Sequence, residues 1–403
     1  NELIYNFIGG SMTKEYQVIL YGATGFTGRL CAEYFNSNYP DLSWAIAGRN
    51  EEKLKTLSEE LNLKCDIYVA DSEDYEAIKS FVKKTKVVLS AAGPFARYST
   101  KVVEACVECK THYTDITGEN HWVKGLIDRF HEKAALDGTR IVPSCGYDSI
   151  PSDLGVYYSV TRSEKPVKNV TVYHSAKGGA SGGTTETMFT MGPLPKEMRD
   201  PFLLNPENSI SEEQKKNSKD DFSVKPIPGT DAFSGMGLMA FANTRVVRRS
   251  AALFDLNQKS YGADFTFKEL GSYPSKAAAR ITSFVLMSAF LVIATPLRHI
   301  VRPFLLKPGE GPDQETRDKG WFKGLFIAKR EDGVEQRFEI FGSGDPGYKS
   351  TSKMVCESAL TLAFSEDLPF GEEFGGVLTS AVALGDPLIS RLMKAGITFE
   401  EVT

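Results

Sequence analysis

The chain has 403 residues, 41% of them apolar and 25% charged, with a formal net charge of −5 and a pI near 5.8. That length allows two or three domains with ordinary cores and excludes disorder as the theme. The acidic balance, with no long arginine–lysine run, argues against nucleic acid as a partner, and six cysteines without a secretory signal suit a reducing, intracellular, cytoplasmic setting better than a disulfide framework.

Residues 1–15 read as an N-terminal extension or a cloning remnant, because the first eleven carry neither a basic stretch nor a long apolar core and Met12 is a natural start. Residues 17–28 then read as a buried strand, a glycine-rich turn and a helix. In this dinucleotide cradle Gly22 permits the tight turn, Gly25 the close approach of backbone to a pyrophosphate, and Gly28 the packing of helix on strand; Ala23, Thr24, Phe26 and Thr27 complete it. The pattern gains specificity from lying between an apolar run and the amphipathic stretch 29–35.

The second strand, 43–47, ends in Gly48-Arg49-Asn50. A carboxylate there would bind a free ribose 2′-hydroxyl, whereas the Arg49 guanidinium can fork onto a 2′-phosphate, so NADP(H) is preferred over NAD(H), with Lys53 as a weaker helper. After the third strand, 66–70, Asp71 suits either the adenine end of the cofactor or the cap of the next helix. The fourth strand, 86–91, leads into Ala92-Gly93-Pro94, small enough to admit the nicotinamide half. Strands at 112–116 and 140–144 complete a Rossmann-type, doubly wound parallel sheet over 16–150. Cys106 and Cys109 have redox or metal spacing but fall inside a helical pattern and lack a second pair, so packing is expected and no metal.

From 151 to 350 the alternation becomes irregular and reads as a second, α+β domain for substrate or dimer contacts. Strand-like runs lie at 170–175, 263–268 and 336–341, a glycine-rich stretch at 178–185 precedes a helix around 186–191, and the polar stretch 208–221 reads as a surface loop or lid. The uncharged run 281–297 would be about 25 Å long as a helix, short of the roughly 30 Å hydrocarbon core. A buried helix is one reading; a pocket lining, or a helix lying in a membrane or lipid-droplet surface with interfacial aromatics from 321–326, are the others. The segment 351–403, with helical patterns at 352–365 and 387–395 and a strand at 398–402, is expected to return towards the cofactor domain.

Gly22 to Gly28, Ala47-Gly48-Arg49, Gly93-Pro94-Phe95, Thr114 to Glu119, Gly146 to Gly155, Ser181-Gly182-Gly183-Thr184 and Gly375-Gly376-Val377 together resemble the saccharopine dehydrogenase-like oxidoreductase family, with its vertebrate and mycobacterial trans-acting enoyl reductase branches. The resemblance runs from about residue 16 to the C-terminus. It implies an NAD(P)-bound Rossmann domain, a second α+β domain with a mixed sheet, action on lipids or association with lipid surfaces, and a homodimer as an admissible state. It does not imply saccharopine as substrate, since the multiple carboxylates of that molecule demand clustered arginines and the second domain offers only Arg245, Arg248 and Arg249.

Hydride transfer also needs a proton-handling group near the nicotinamide. Tyr98, Asp115, Tyr147 and Asp148, with Glu119, follow the fourth, fifth and sixth strands and are the catalytic candidates. Tyr75 and Lys79 have short-chain dehydrogenase spacing but fall too early in the chain. The expected function is an NADP(H)-dependent oxidoreductase acting on a small hydrophobic, lipid or isoprenoid-like substrate in the interdomain cleft. A nucleotide-binding scaffold at a lipid surface and saccharopine-type amino-acid metabolism are the alternatives.

Overall fold

The computed structural model describes residues 14–179, 196–302 and 311–403. Its first half alternates β1 (Tyr16–Tyr21), α1 (Phe26–Asn38), β2 (Trp44–Gly48), α2 (Glu51–Glu60), β3 (Asp66–Val69), α3 (Tyr75–Val82) and β4 (Thr85–Ser90). There follow α4 (Phe95–Tyr98), α5 (Thr100–Glu108), β5 (His112–Asp115), α6 (Asn120–Leu136), β6 (Arg140–Val142) and α7 (Ile150–Thr161). The second half contains β7 (Val167–Lys177), α8 (Glu212–Asn217), β8 (Phe233–Gly235), α9 (Ala240–Leu256), β9 (Thr266–Tyr273), α10 (Lys276–Ile293), α11 (Arg298–Val301) and α12 (Gln314–Lys319). Then come β10 (Trp321–Arg330), β11 (Glu335–Ser343), α13 (Thr351–Phe364), β12 (Gly376–Val377), α14 (Ser380–Lys394) and β13 (Ile397–Val402).

Seven parallel strands in the order β12-β6-β5-β4-β1-β2-β3 form the Rossmann-type sheet. Val18, Ile19, Leu20, Val87, Val88 and Leu89 are fully buried, as expected where helices cover both faces of a parallel sheet. The strand order reverses between β1 and β4, which opens a crevice at their carboxyl ends. The second sheet, β13-β11-β10-β7-β9-β8, is mixed: β7 and β9 run parallel and the other pairs antiparallel. The C-terminal segment contributes β12 to the first sheet and β13 to the second, while α13 packs beside α1 across β1, β4 and β5.

Several expectations are corrected. The stretch 208–221 contains α8, held by a reciprocal capping box between Ser211 and Gln214, and its end is anchored, because Asp220 pairs with Arg245 and Arg248. The strand expected at 263–268 starts only at Thr266, after Asp264 turns the chain at φ +50°. The run 281–297 is not a core helix: α10 leaves Ile281, Phe284, Val285, Met287 and Leu291 exposed. Residues 321–326 are not interfacial aromatics but the start of β10, paired on both sides, with Phe322 and Phe326 fully buried. Ser181 to Thr184 and the helix expected around 186–191 lie outside the described residues.

Candidate active site

The turn between β1 and α1 has no room for side chains. Gly22 has φ +82°, and a Cβ there would stand 2.7 Å from the Ala92 backbone nitrogen; at Gly28 it would stand 2.2 Å from the Gly22 carbonyl oxygen. A larger residue at either position would push α1 off the sheet or the β4 loop off the turn. Gly25 is the N-cap of α1, no side chain caps that helix, and its first turn carries no acid. The first-turn amides and the positive end of the helix dipole are therefore left for an anion, and the cradle fits a dinucleotide pyrophosphate. Ala23 is buried, Thr24 exposed and Thr27 half-buried. The Phe26 ring packs edge-on against Tyr348 at 5.0 Å between centroids, so this side chain ties the turn to the C-terminal half of the chain.

Arg49 is exposed at the end of β2, its guanidinium 5.9 Å from the centre of the Tyr98 ring, with Arg97 at 5.2 Å from the same ring. Tyr98, expected where hydride is transferred, thus has the cations of both Arg49 and Arg97 beside its ring. A cavity of about 260 Å³ lies beside it, lined by Ser72, Glu73, Arg97 and Tyr98 among others. Asp71 is exposed but does not cap α3: it accepts from the Glu73 amide at 2.9 Å, and Asp74 is the cap, accepting from Ala77 at 3.0 Å. Ala92 abuts Gly22, and Gly93 and Pro94 follow it into α4. The Glu119 carboxylate accepts from the Phe95 and Ala96 amides at 2.8 and 3.0 Å, which pins this small-residue turn from the β5 side.

Asp115 is fully buried. Its carboxylate accepts from the Thr117 and Ser144 amides and from the Tyr113 hydroxyl, each at 2.9 Å, and so joins the loops that follow β5 and β6. Burial pushes its pKa up to about 7, against those hydrogen bonds. It is built as a loop clamp, with no open surface for a substrate. Tyr147 and Asp148 are only half-buried. The Tyr147 ring packs against Phe322 at 5.2 Å and His174 at 6.4 Å, and burial raises its phenol well above the ordinary value. Among the described residues Asp148 has no hydrogen-bond or ion-pair partner; burial alone pushes its carboxyl up to about 6. One of its oxygens stands 3.7 Å from where a Cβ on Gly118 would be. Neither Asp148 nor Ser149 caps α7 with its side chain, and Ser149 instead donates to Asn243 at 3.3 Å.

Residues 18–142 match the family model for the saccharopine dehydrogenase NADP binding domain. A Mycobacterium tuberculosis protein named provisionally as a trans-acting enoyl reductase is 33% identical over 425 residues, covering 96% of this chain and 97% of the relative. The trans-acting enoyl reductase of Mycobacterium ulcerans is 32% identical, with 96% and 98% covered. The chain belongs to the saccharopine dehydrogenase-like oxidoreductase family. Among solved structures, apo saccharopine dehydrogenase (L-Glu forming) from Saccharomyces cerevisiae shares the fold at TM-score 0.54 and 12% identity, with 96% of this chain and 100% of that one covered. The protein is thus an NAD(P)-dependent oxidoreductase with an NADP-binding domain.

Behind Tyr147 this oxidoreductase carries a buried polar cluster that the sequence reading missed. Ser152, in the first turn of α7, donates to Glu269 at 2.7 Å and lies 2.9 Å from His174 Nε2; Asn243 donates to the other Glu269 oxygen at 2.8 Å. Burial drives both ionisable groups towards neutrality, raising Glu269 to about 7 and lowering His174 to about 4. The available signal was the alternation Phe267-Lys268-Glu269, which places Glu269 on the same strand face as buried Phe267, a position where a lone carboxylate is rare. Arg245 and Arg248 are committed to Asp220, and Arg249 to the Leu204 and Val377 carbonyls. Lys79 pairs with Glu108 at 2.7 Å on α3, remote from any role with Tyr75 in hydride transfer.

Proposed function

We propose that this oxidoreductase uses NADP(H) in preference to NAD(H) to reduce or oxidise an apolar, lipid- or isoprenoid-like substrate between the Rossmann crevice and the second sheet. The observation that carries the proposal is the sterically closed Gly22–Gly28 turn opening on an uncapped helix, with the solitary Asp148 carboxyl beyond the same sheet edge. Gly22 to Gly28 would hold the pyrophosphate, Arg49 the 2′-phosphate, Tyr98 and Asp71 the adenosine end, and Ala92 to Pro94 the approach to the nicotinamide. When bound, the nucleotide supplies or accepts the hydride.

Tyr147 and Asp148 hold the proton that must accompany it, at the phenol oxygen and the carboxyl oxygens; Asp115 and Glu119 position the loops that carry these groups. The relatives' name, enoyl reductase, supports an activated carbon–carbon double bond as the reacting group. Against the saccharopine-type alternative stands the commitment of Arg245, Arg248 and Arg249 to internal partners, which leaves that cluster no cation for substrate carboxylates.

Titration of NADPH and NADH into the wild type and Arg49→Ala checks the cofactor half. A charge-assisted hydrogen bond contributes about 1.5–3 kcal/mol, so the variant should bind NADPH roughly 10- to 150-fold more weakly with NADH little changed. An unaltered preference rejects the role given to Arg49.

A further inference from the structure

A dinucleotide pyrophosphate brings negative charge to the Gly22–Gly28 turn, and the turn has no cation of its own to meet it. Residues 22–28 contain no charged side chain. Arg29, which follows them in α1, is committed to Glu33 at 3.1 Å and to Glu60. The open amides of α1 act as only about half an elementary charge. Any further positive charge therefore has to come from elsewhere in the fold.

One segment of the second half reaches this turn. Residues 311–320, which lead through α12 into β10, lie against Phe26: a Cβ on Gly311 would stand 2.5 Å from the Phe26 ring, and the Arg317 guanidinium lies over that ring at 5.6 Å from its centre. The segment is firmly seated. Asp313 caps α12, accepting from the Thr316 amide at 2.8 Å. The Arg317 carbonyl accepts from the Asp345 amide and the Gly320 carbonyl from the Gly344 amide, both at 2.8 Å. A Cβ on Gly320 would stand 2.3 Å from the Asp345 Cα, and one on Gly179 2.7 Å from Pro312. The segment is thus wedged between the end of β7 and the turn that precedes α13.

Arg317 is held there without a counter-ion. Among the described residues its guanidinium makes one hydrogen bond, from Nη1 to the Pro312 carbonyl at 3.0 Å, and no ion pair. The acids around it are occupied. Asp345 accepts from the Tyr348 and Lys349 amides at 3.2 and 3.1 Å, Asp318 pairs with Lys349 at 2.5 Å, and Glu315 pairs with Lys319 at 2.5 Å. The Phe26 face steadies the guanidinium plane, and Nε and Nη2 keep their donors for a further acceptor.

We propose that Arg317 is a cofactor-binding residue, its unpaired guanidinium meeting the pyrophosphate at the Gly22–Gly28 turn, so that the second half of the chain contributes directly to the phosphate site. The proposal rests on the reading of that turn as a dinucleotide cradle. It concerns a group that NADPH and NADH share, which separates Arg317 from Arg49 and its 2′-phosphate. The test is calorimetric titration of the full chain with NADPH, NADH and 2′-AMP, for the wild type, Arg317→Ala, Arg317→Lys and Arg49→Ala. Because 2′-AMP carries the 2′-phosphate and no pyrophosphate, it reports the Arg49 end and the integrity of the crevice, and melting without nucleotide checks the fold.

Arg317→Ala should weaken NADPH and NADH by the same factor, roughly 10- to 150-fold for one charge-assisted hydrogen bond, and leave 2′-AMP unchanged. Arg317→Lys, which keeps the charge and loses the fork, should recover part of the loss. Raised salt should weaken NADH binding more steeply in the wild type than in Arg317→Ala. Unchanged NADPH and NADH affinity in Arg317→Ala overturns the proposal and reduces Arg317 to packing on Phe26. A loss for NADPH alone overturns it in favour of a second contact to the 2′-phosphate, and a loss that extends to 2′-AMP overturns it in favour of a purely structural segment. In each of these cases a lowered NADPH preference in Arg49→Ala keeps the cofactor reading intact; a wild type that binds none of the three nucleotides removes that reading and this proposal with it.

Discussion

Glu269 is the residue at which the fold and the candidate chemistry pull apart. Its carboxyl is raised to about 7 by burial, while Ser152 and Asn243 hydrogen bonds oppose the shift. Because the folded-state value lies above the ordinary 4.5, the folded chain binds this proton more tightly than the unfolded one. Stability from this group is fully present below the unfolded value and is lost as the pH rises through about 7. Glu269→Gln fixes the group neutral, so the variant should gain melting temperature on the wild type between about pH 5 and about pH 8, with a limiting difference on the order of 3 kcal/mol. A difference that does not change with pH would refute the raised carboxyl. The same residue explains why the site was half legible. Gly22, Gly28 and Arg49 announce themselves by local spacing around a turn; Glu269 and His174 meet Ser152 only through the pairing of β7 with β9, which no local pattern encodes.

Helix α14 illustrates the element scale. Its N-cap, Thr379, makes no side-chain cap, and the cap comes from another helix: Asp153 in α7 accepts from the Ser380 hydroxyl and the Ala381 amide, both at 2.8 Å, and from Ser250 in α9. One buried carboxylate thereby fixes three helices. Asp153→Ala would leave those donors buried without an acceptor, and an unsatisfied donor costs about 1–3 kcal/mol. The variant should therefore be destabilised by about 2–4 kcal/mol in urea unfolding, with Asp153→Asn recovering much of the loss. Equal loss in both would deny the capping role.

Strand and helix alternation through β6 was legible because each element has its own period, and the helix boundaries of α5 and α13 fall within a residue or two of the pattern. What failed did so for identifiable reasons. The Ser211–Gln214 capping box of α8 was present in the sequence, but its polar surroundings masked it. The core reading of α10 assumed that an apolar run must be covered by the same chain.

At the scale of the molecule the question is whether the two sheets unfold together. A continuous core includes Val18 and Leu20 of the first sheet, Phe322 and Phe326 of the second, and Met354, Leu360, Val382 and Leu388 from the C-terminal helices. The buried Arg140 of β6 donates to the Pro369, Gly371 and Ala383 carbonyls, and Glu357 of α13 receives Tyr34 from α1 at 2.7 Å and Arg391 from α14 at 2.8 Å. With β12 and β13 entering different sheets, the last fifty residues cannot leave one without disturbing the other. Calorimetry should accordingly give one endotherm. A nucleotide that binds only the native state at a hundred times its Kd adds about 2.7 kcal/mol, and NADPH should move the whole transition upward by a few degrees as a unit. Two endotherms, of which NADPH shifts only one, would mean that the Rossmann sheet folds without its neighbour and that the C-terminal segment is a connection rather than a clamp.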